Sequence, residues 1–246
     1  MSDSEPKTLA LDVGGTRLKG GLLAADGALL GERVRVATPH PSPPSVVVEL
    51  LIGLAGRVAG FERVSVGFPG VVRDGVIIAA PNLGTGDWGG FGLAQALEER
   101  LGVPVRVLND ASVQGLGVIA GVGLECVITL GTGFGFALYQ DGKLLPHLEM
   151  SQHVVWKKMT YDDYIGNAAL KKVGMLKWQA RVQRIIGQLR AVVMFDSLLI
   201  GGGNAANISF ALPNKVRIVS NDAGILGGVR LWDANQDEAF KVTRAS

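Results

Sequence analysis

The sequence predicts an α/β protein with a duplicated core, and two similar hairpins are the main reason. Leu9–Gly21 and Val127–Tyr139 each consist of an apolar strand, a glycine turn and a second apolar strand. An Asp-Gly pair typical of tight turns follows each hairpin, at residues 26–27 and 141–142. Strands and helices alternate after the first hairpin, as in an α/β fold. We expect each hairpin to open one half of the protein.

The elements of the first half are apolar runs bounded by proline, glycine and polar residues. After the hairpin we predict a strand over Leu29–Ala37, a helix from an N-cap at Ser45 through Ala59, a strand over Arg63–Phe68, a helix over Leu93–Leu101 and a strand over Val103–Leu108. Residues 38–44 form a stiff, proline-rich connection. The first lobe is therefore expected to cover residues 1–112.

The second half, residues 113–246, is expected to repeat this order. We predict a linking helix over Ser112–Ala120, a third strand over Lys143–Leu148, helices over Tyr161–Val173 and Leu176–Phe195, strands over Ser197–Ile200 and Val216–Val219, and a short helix over Gly224–Leu231. The longest helix carries one apolar stripe: Trp178, Val182, Ile185, Ile186, Leu189 and Val193. From Asp233 we expect a frayed helix or disorder, with the terminal helix free to return to the first lobe.

The composition of the chain excludes several classes of protein. Almost half of the 246 residues are apolar, which excludes a disordered chain. The net charge of +2 is too small to indicate nucleic-acid binding. A single cysteine, Cys126, excludes a disulfide framework and a cysteine-based zinc site within this chain. The polar start carries no hydrophobic signal region, and no apolar stretch reaches membrane-spanning length. We therefore expect a cytoplasmic protein with no zinc, no nucleic-acid partner and no membrane partner.

Basic residues concentrate in one region of the second half. They are Lys157, Lys158, Lys171, Lys172, Lys177, Arg181, Arg184 and Arg190. Such a run is either the solvated face of helices or a basic groove for a long polyanion. The sequence leaves both interpretations open.

The glycine turns of the two hairpins are candidate phosphate sites, because glycine lets backbone N–H groups approach an anion closely. The turn residues are Gly14, Gly15 and Thr16 in the first hairpin and Gly131, Thr132 and Gly133 in the second. Thr16 and Lys19 could each reach a phosphate oxygen, and Asp12 could hold a metal ion. Together the hairpins suggest a phosphate chain held between the halves. The alternatives are ordinary glycine-rich hairpins, with Asp12 a turn residue.

Asp110 is the strongest candidate for a catalytic residue, because it follows a strand at the position where open α/β sheets bind ligands. Phosphoryl transfer to a hydroxyl needs a carboxylate that takes the proton of the acceptor. Asp110 would be this base, and Asn109 would orient the acceptor. The alternative is that Asp110 is only the N-cap of the following helix.

Further polar and glycine residues could bind substrates. Gly201, Gly202 and Gly203 follow a buried strand and could pack against a nucleotide or a phosphate chain, or could merely form a turn. Asn82, Glu149 and Gln152 are loop side chains that could bind sugar hydroxyls, although such residues are more often solvated. Trp88 could cover a sugar face or pack in the core.

The order of motifs resembles that of the ROK family of sugar kinases, over nearly the whole chain. The matching segments are Asp12–Lys19, Gly67–Gly70, Leu108–Ala111, Leu130–Gly133 and Gly201–Asn204. Lys157–Gly166, Gln188–Ala191 and Ile218–Gly224 are similar to the polyphosphate glucokinase subgroup of that family.

The resemblance implies an actin-like, ribonuclease-H-like fold with two βββαβα-type lobes around a cleft, usually in a homodimer. It implies Mg²⁺-dependent transfer of a phosphoryl group from polyphosphate or ATP to the 6-hydroxyl of a hexose, with glucose as the expected substrate. Asp110 would be the base, Asn109 and Glu149 would contact the sugar, and the glycine turns with Gly201–Gly203 would hold the donor.

Two positions depart from the family pattern. Gln152 stands where relatives carry histidine, and Asp162 stands where they carry a sugar-binding glutamate. These departures leave open an ATP-dependent ROK kinase for another sugar. A sugar-binding or regulatory protein without turnover is the alternative from another class.

Overall fold

Two five-stranded sheets with the same strand order organise the chain. The structure is a computed structural model, and it describes residues 5–81, 83, 86–220 and 223–240. One unit comprises the described residues of Met1–Gly117 and Gly224–Ser246, and the other comprises those of Val118–Ala223. No helix in these described ranges combines the length and apolarity needed to span a bilayer.

The sheet of the first unit has the order β3-β2-β1-β4-β8. Its strands are β1 (Thr8–Val13), β2 (Arg17–Leu23), β3 (Leu29–Ala37), β4 (Arg63–Phe68) and, after a smaller sheet, β8 (Val105–Asn109). The first three strands form an antiparallel meander, whereas β4 and β8 run parallel to β1. The parallel strands therefore end at one common edge.

The smaller sheet of this unit was not predicted from the sequence. It contains β5 (Val71–Arg73), β6 (Val76–Ala79) and β7 (Phe91–Gly92). Trp88 precedes β7, is 1% exposed and packs against Phe68 and Phe91. Trp88 is therefore a core residue and does not cover a sugar face.

The helices of the first unit are α1 (Pro44–Ala55), α2 (Leu93–Leu101) and α3 (Asp110–Leu116). The predicted N-cap at Ser45 is wrong, because Pro44 occupies the first helical turn and Pro43 the N-cap position. Proline is favoured in the first turn of a helix, because an N–H group at that position would have no partner within the helix. The helix ends at Ala55 and not at Ala59, with Gly56 as its C-cap.

The sheet of the second unit repeats the order of the first, as β11-β10-β9-β14-β15. Its strands are β9 (Leu124–Leu130), β10 (Phe134–Gln140), β11 (Lys143–Leu144), β14 (Ser197–Gly201) and β15 (Val216–Ile218). The third strand is shorter than the predicted Lys143–Leu148. A two-stranded sheet of β12 (Val154–Trp156) and β13 (Met159–Thr160) was also missed.

Three helices follow in the second unit: α4 (Tyr161–Ile165), α5 (Asn167–Val173) and α6 (Met175–Val193). The predicted single helix over Tyr161–Val173 is wrong, because Gly166 has an extended conformation and divides it. The predicted apolar stripe of α6 is confirmed. Trp178, Val182 and Ile185 are fully buried, and Val193 at the end is half-buried.

The last described segment, α7 (Ala223–Arg230) with a 3₁₀ helix over Ala234–Phe240, belongs to the first unit from Gly224 onward. Gly227 brings α7 against α3, since a Cβ atom there would lie 1.7 Å from the carbonyl oxygen of Val113. Ser65 donates to the carbonyl of Gly228, and Arg106 donates to that of Leu231. The sequence-based boundary at residue 112 falls inside α3, which belongs entirely to the first unit.

We expect Gly227→Ala to lower the free energy of unfolding by roughly 1–3 kcal/mol, because the new methyl group overpacks the contact between α7 and α3. Gly53→Ala in α1 is the matched control, since nothing lies within 4 Å of its added Cβ. That control should be neutral or stabilising by about 0.5–1 kcal/mol. Urea denaturation of both variants measures the difference, and equal stability would contradict the close contact.

Candidate functional site

The turn between β1 and β2 carries the first predicted phosphate residues. The amide of Gly14 donates to the carbonyl of Arg17 at 3.1 Å, and a Cβ on Gly14 would lie 2.8 Å from that oxygen. Asp12 and Lys19 face each other across the two strands. Lys19 Nζ donates to Asp12 Oδ2 at 3.2 Å, with both side chains about half exposed. A glycine turn, an ammonium group and a carboxylate therefore lie together.

Asp12 and Asp110 lie on either side of Gly67. Strand pairing places Asp12 opposite Gly67, and Gly67 opposite Leu108, at the carboxyl ends of the parallel strands. A Cβ on Gly67 would lie 3.8 Å from Asp12 Oδ1 and 3.8 Å from Asp110 Cβ. Asp12 and Asp110 thus both lie beside the backbone of Gly67. Glycine leaves the space between them open.

Asn109 is the N-cap of α3, a role that the sequence analysis considered for Asp110. Its Oδ1 accepts from the amides of Ala111 and Ser112 at 3.0 and 3.2 Å, and its Nδ2 donates to the carbonyl of Gly70 at 3.0 Å. Asn109 is buried, whereas Asp110 is partly exposed as the first residue of the helix. Asn109 therefore fixes the start of the helix that carries Asp110. Its predicted contact with a sugar stays a prediction.

The second glycine turn is held by neighbouring backbone. The amide of Asn167 donates to the carbonyls of Gly131 and Thr132 at 3.0 and 3.2 Å. Asn204 Nδ2 adds a bond to the carbonyl of Gly131 at 3.3 Å. These bonds define the conformation of the turn. The proposed phosphate contacts of Gly131, Thr132 and Gly133 remain a prediction.

Asp162 lies directly against this turn. Its Oδ1 accepts from the amide of Phe134 at 2.7 Å and would be 2.6 Å from a Cβ on Gly133. Its Oδ2 accepts from Gln152 Nε2 at 3.3 Å. The two residues that depart from the family pattern therefore contact each other. Their predicted contacts with a sugar are separate from these bonds and stay predictions.

Glu149 is fixed by its neighbours at the start of a 3₁₀ helix over Met150–Gln152. It accepts from the amide of Ser151 at 3.2 Å, and His147 Nε2 lies 3.4 Å from Glu149 Oε2. Burial acts to raise the pKa of the Glu149 carboxyl, but bonds from His147 and Ser151 outweigh it and hold the pKa below its ordinary value. Glu149 is thus an ionised hydrogen-bond acceptor at neutral pH.

The glycines after β14 have different surroundings. Gly202 has φ +86°, and a Cβ there would lie 2.3 Å from the carbonyl oxygen of Leu130. It is therefore required for the turn itself. Gly203 has no atom within 4 Å of an added Cβ, and Gly201 ends the strand. A donor contact at Gly201–Gly203 stays a prediction. Asn82 lies outside the described residues.

Sequence reasoning missed three residues beside these groups: His40, Gly67 and His147. Gly67 was part of a quoted motif but had no assigned role. His147 precedes Glu149 by two residues, a spacing that does not reveal which side chains meet. His40 bonds to the carbonyl of Gly15 from 25 positions away, so no local pattern could have indicated it.

Comparison with known proteins identifies the family of the chain. The model of the ROK family matches residues 8–147. The chain belongs to the ROK family. A polyphosphate glucokinase of Mycobacterium tuberculosis (strain ATCC 25618 / H37Rv) is 30% identical over 233 residues, which cover 88% of each chain.

The fold of this chain is also similar to solved structures. A polyphosphate/ATP-glucomannokinase from Arthrobacter sp. strain KM has a TM-score of 0.82 and 30% identity, covering 92% of this chain and 97% of that one. A ROK family glucokinase from Streptomyces griseus has a TM-score of 0.77 and 19% identity, covering 92% and 98%. The predicted actin-like α/β fold class is confirmed.

We expect His147→Ala to raise the pKa of the Glu149 carboxyl, because the variant loses a donor to the carboxylate and the charge of the imidazolium. The present bonds stabilise the fold above the ordinary pKa of a glutamate, and their contribution is lost as pH falls through the lowered folded-state pKa. Carboxyl-selective NMR titration measures the shift.

His147→Gln is the matched variant, since its amide can still donate, and it should keep part of the lowering. His153→Ala is the control, because the His153 ring lies beside Tyr161, with ring centroids 6.4 Å apart. An unchanged Glu149 titration in His147→Ala would show that the 3.4 Å contact has no electrostatic effect.

Proposed function

We propose that this protein is a hexose kinase that transfers a phosphoryl group from polyphosphate or ATP to the 6-hydroxyl of a hexose. The observation that carries the proposal is the placement of Asp12 and Asp110 on either side of Gly67, next to the glycine turn. The names of the relatives support the same reaction. The M. tuberculosis relative is called a polyphosphate glucokinase, and the Arthrobacter structure a polyphosphate/ATP-glucomannokinase.

Asp110 is assigned as the general base. A sugar hydroxyl is a weak nucleophile, and a positioned carboxylate that accepts its proton contributes about 10²–10⁴-fold to the rate. The hydrogen bonds of Asn109 fix the start of α3 and therefore the position of Asp110. Phosphoryl transfer depends mostly on such positioning and on charge stabilisation.

The donor phosphates are assigned to the glycine turns. Gly15 and Thr16 would offer backbone N–H groups, and Lys19 would offer an ammonium group beside them. Gly14 would shape the turn, because its own amide donates to the carbonyl of Arg17. Gly131, Thr132 and Gly133 are the corresponding residues of the second hairpin, and Gly201–Gly203 the glycines after β14. Backbone N–H groups in such turns form concave anion sites.

The residues present fit a Mg²⁺ ion that is held mainly by the donor. Proteins usually bind Mg²⁺ through one or two carboxylates, with phosphates and water completing the octahedron. Asp12 is a half-exposed carboxylate beside the first glycine turn. It would be the protein ligand of the Mg²⁺ ion. Within the described ranges no cluster of three or more acidic, histidine or cysteine side chains could hold a metal by itself. When bound, the ion would neutralise charge on the transferred group.

The sugar is assigned to Glu149 and its neighbours. An ionised carboxylate can accept hydrogen bonds from two hydroxyls, and a hydroxyl that is buried without a partner costs about 1–3 kcal/mol. Gln152 and Asp162 are bonded to each other and would present one surface to the substrate. Asn82 and Asn109 are the other proposed sugar contacts. Gln152 and Asp162 replace the histidine and glutamate of the family, so the preferred hexose is to be identified by the assay below.

The basic run from Lys157 to Arg190 is only partly available to a polyanion. Arg181 donates to the carbonyl of Tyr164, and its guanidinium lies 4.6 Å from the centre of that ring. Arg184 lies 4.2 Å from the centre of the Trp156 ring. These contacts support packing roles for both arginines. A polyphosphate track, a homodimer and a cytoplasmic location remain proposals.

We expect Gly67→Ala to fold normally and to lose at least about tenfold in transfer rate. Its Cβ makes only contacts of 3.4 Å or longer, so the chain tolerates it, but the methyl group stands between Asp12 and Asp110. Misplacement of reacting groups by about 1 Å can cost about 10²-fold. Gly70→Ala is the contrast, since its Cβ would lie 2.1 Å from the carbonyl oxygen of Ala79 and should impair folding. Full activity in a folded Gly67→Ala would argue against the assigned geometry.

The kinase assignment is tested by Mg²⁺-dependent phosphorylation of glucose, mannose and N-acetylmannosamine, with ATP and polyphosphate compared side by side. We expect product with at least one pair and a loss of about 10²–10⁴-fold in Asp110→Asn. Asp74→Asn is the control, because Asp74 has φ 53°, a conformation that asparagine tolerates well.

Each outcome of this assay is informative. Product that disappears in Asp110→Asn but not in Asp74→Asn supports the proposal and names both substrates. Product that persists in Asp110→Asn would refute the base assignment. If folded wild-type protein forms no product with any pair, the kinase proposal fails for these hexoses. Restoring histidine and glutamate, as Gln152→His with Asp162→Glu, then distinguishes a lost activity from a different substrate.

A further inference from the structure

The segment Thr38–His40 runs beside the first glycine turn, Gly14–Thr16, and forms hydrogen bonds to its three successive carbonyl groups. Thr38 Oγ1 donates to the carbonyl of Gly14 at 2.6 Å, and the Thr38 amide donates to that of Thr16 at 3.0 Å. His40 Nε2 lies 2.8 Å from the carbonyl oxygen of Gly15. The side of the turn that presents these carbonyls is therefore occupied by protein donors.

The direction of the carbonyls determines the direction of the N–H groups. In a trans peptide, the C=O of one residue and the N–H of the next point to opposite sides. Bonds to the carbonyls of Gly14 and Gly15 therefore direct the amides of Gly15 and Thr16 away from the segment. Neither amide donates a hydrogen bond to any residue that the structure describes. An added Cβ on Gly15 would meet nothing within 4 Å.

The segment is itself anchored in the core. Ser42 is fully buried, and its hydroxyl donates to the carbonyl of Pro39. The indole of Trp88 donates to the carbonyl of Ser42 at 2.8 Å, and Trp88 is 1% exposed. Thr38 is 7% exposed. His40 is thus the exposed end of a fixed segment and not a loosely placed surface side chain.

We propose that Thr38 and His40 are positioning residues for donor binding. They hold the turn so that the N–H groups of Gly15 and Thr16 are aimed at the donor phosphates before the donor arrives. Preorganised donors stabilise an anion without the cost of reorientation. This inference rests on the proposed function, which assigns the turn to the phosphates. Neither side chain needs to touch the donor.

The test uses two pairs of variants and separates donor from hexose binding. His40→Ala and Thr38→Val remove the side-chain donors, whereas His40→Gln and Thr38→Ser retain them. We expect the first two to raise the KM of the phosphoryl donor about three- to tenfold, the range of one neutral hydrogen bond. The hexose KM and kcat at saturating donor should change less than about twofold, and His40→Gln and Thr38→Ser should restore the donor KM. Arg57→Ala, an exposed residue of the same unit, is the control.

Calorimetric binding of Mg²⁺-tripolyphosphate provides a readout besides activity, and thermal unfolding checks that each variant is folded. An unchanged donor KM in active, folded His40→Ala would overturn the inference while leaving the kinase function intact. A raised KM that His40→Gln fails to restore would also overturn it. If wild-type protein binds tripolyphosphate but transfers nothing, the proposed function fails. Equal affinities of wild type and His40→Ala in that case would overturn the positioning role as well.

Discussion

The parallel pairing of β1, β4 and β8 in one register is the constraint on which the proposed catalytic edge depends. It places Asp12 opposite Gly67, and Gly67 opposite Leu108. Side chains alternate between the two faces of a strand, so a slip of one residue would send Asp12 to the opposite face. The strand between Asp12 and Asp110 carries no side chain at Gly67, so the space beside both residues stays open. A buried asparagine then fixes where the helix after β8 begins.

The three histidines of the chain all lie in loops beside the proposed binding residues. His40 contacts the first glycine turn, and His147 contacts Glu149. His153 lies beside Tyr161, whose ring stacks on Phe134 just after the second glycine turn. None of them forms part of the sheets. Such loops are where a rigid scaffold commonly displays its functional groups.

The sequence was sufficient for the features that depend on local pattern. Apolar runs and glycine turns predicted both hairpins, and the apolar stripe predicted the buried face of α6. Local pattern could not decide between Asn109 and Asp110 as N-cap, because both residue types are favoured there. The hydrogen bonds that Asn109 accepts from Ala111 and Ser112 identify it as the cap. Local pattern also could not locate the break at Gly166, where an added Cβ would meet the carbonyls of Asp162 and Thr132. The bond between Gln152 and Asp162 depends on tertiary structure in the same way.

The return of the chain to the first unit affects the order in which the protein can form. The unit that contains Asp110 is completed by α7 and the 3₁₀ helix after it, which are synthesised after the second unit. The second unit, by contrast, is continuous in sequence and has its own core around Trp178. On the ribosome, the second unit can finish folding first. Until α7 has been synthesised, the surface of the first unit that contacts Gly227 and Gly228 stays uncovered. The proposed catalytic unit therefore matures only after the second unit has been synthesised, although β1 precedes every strand of that unit.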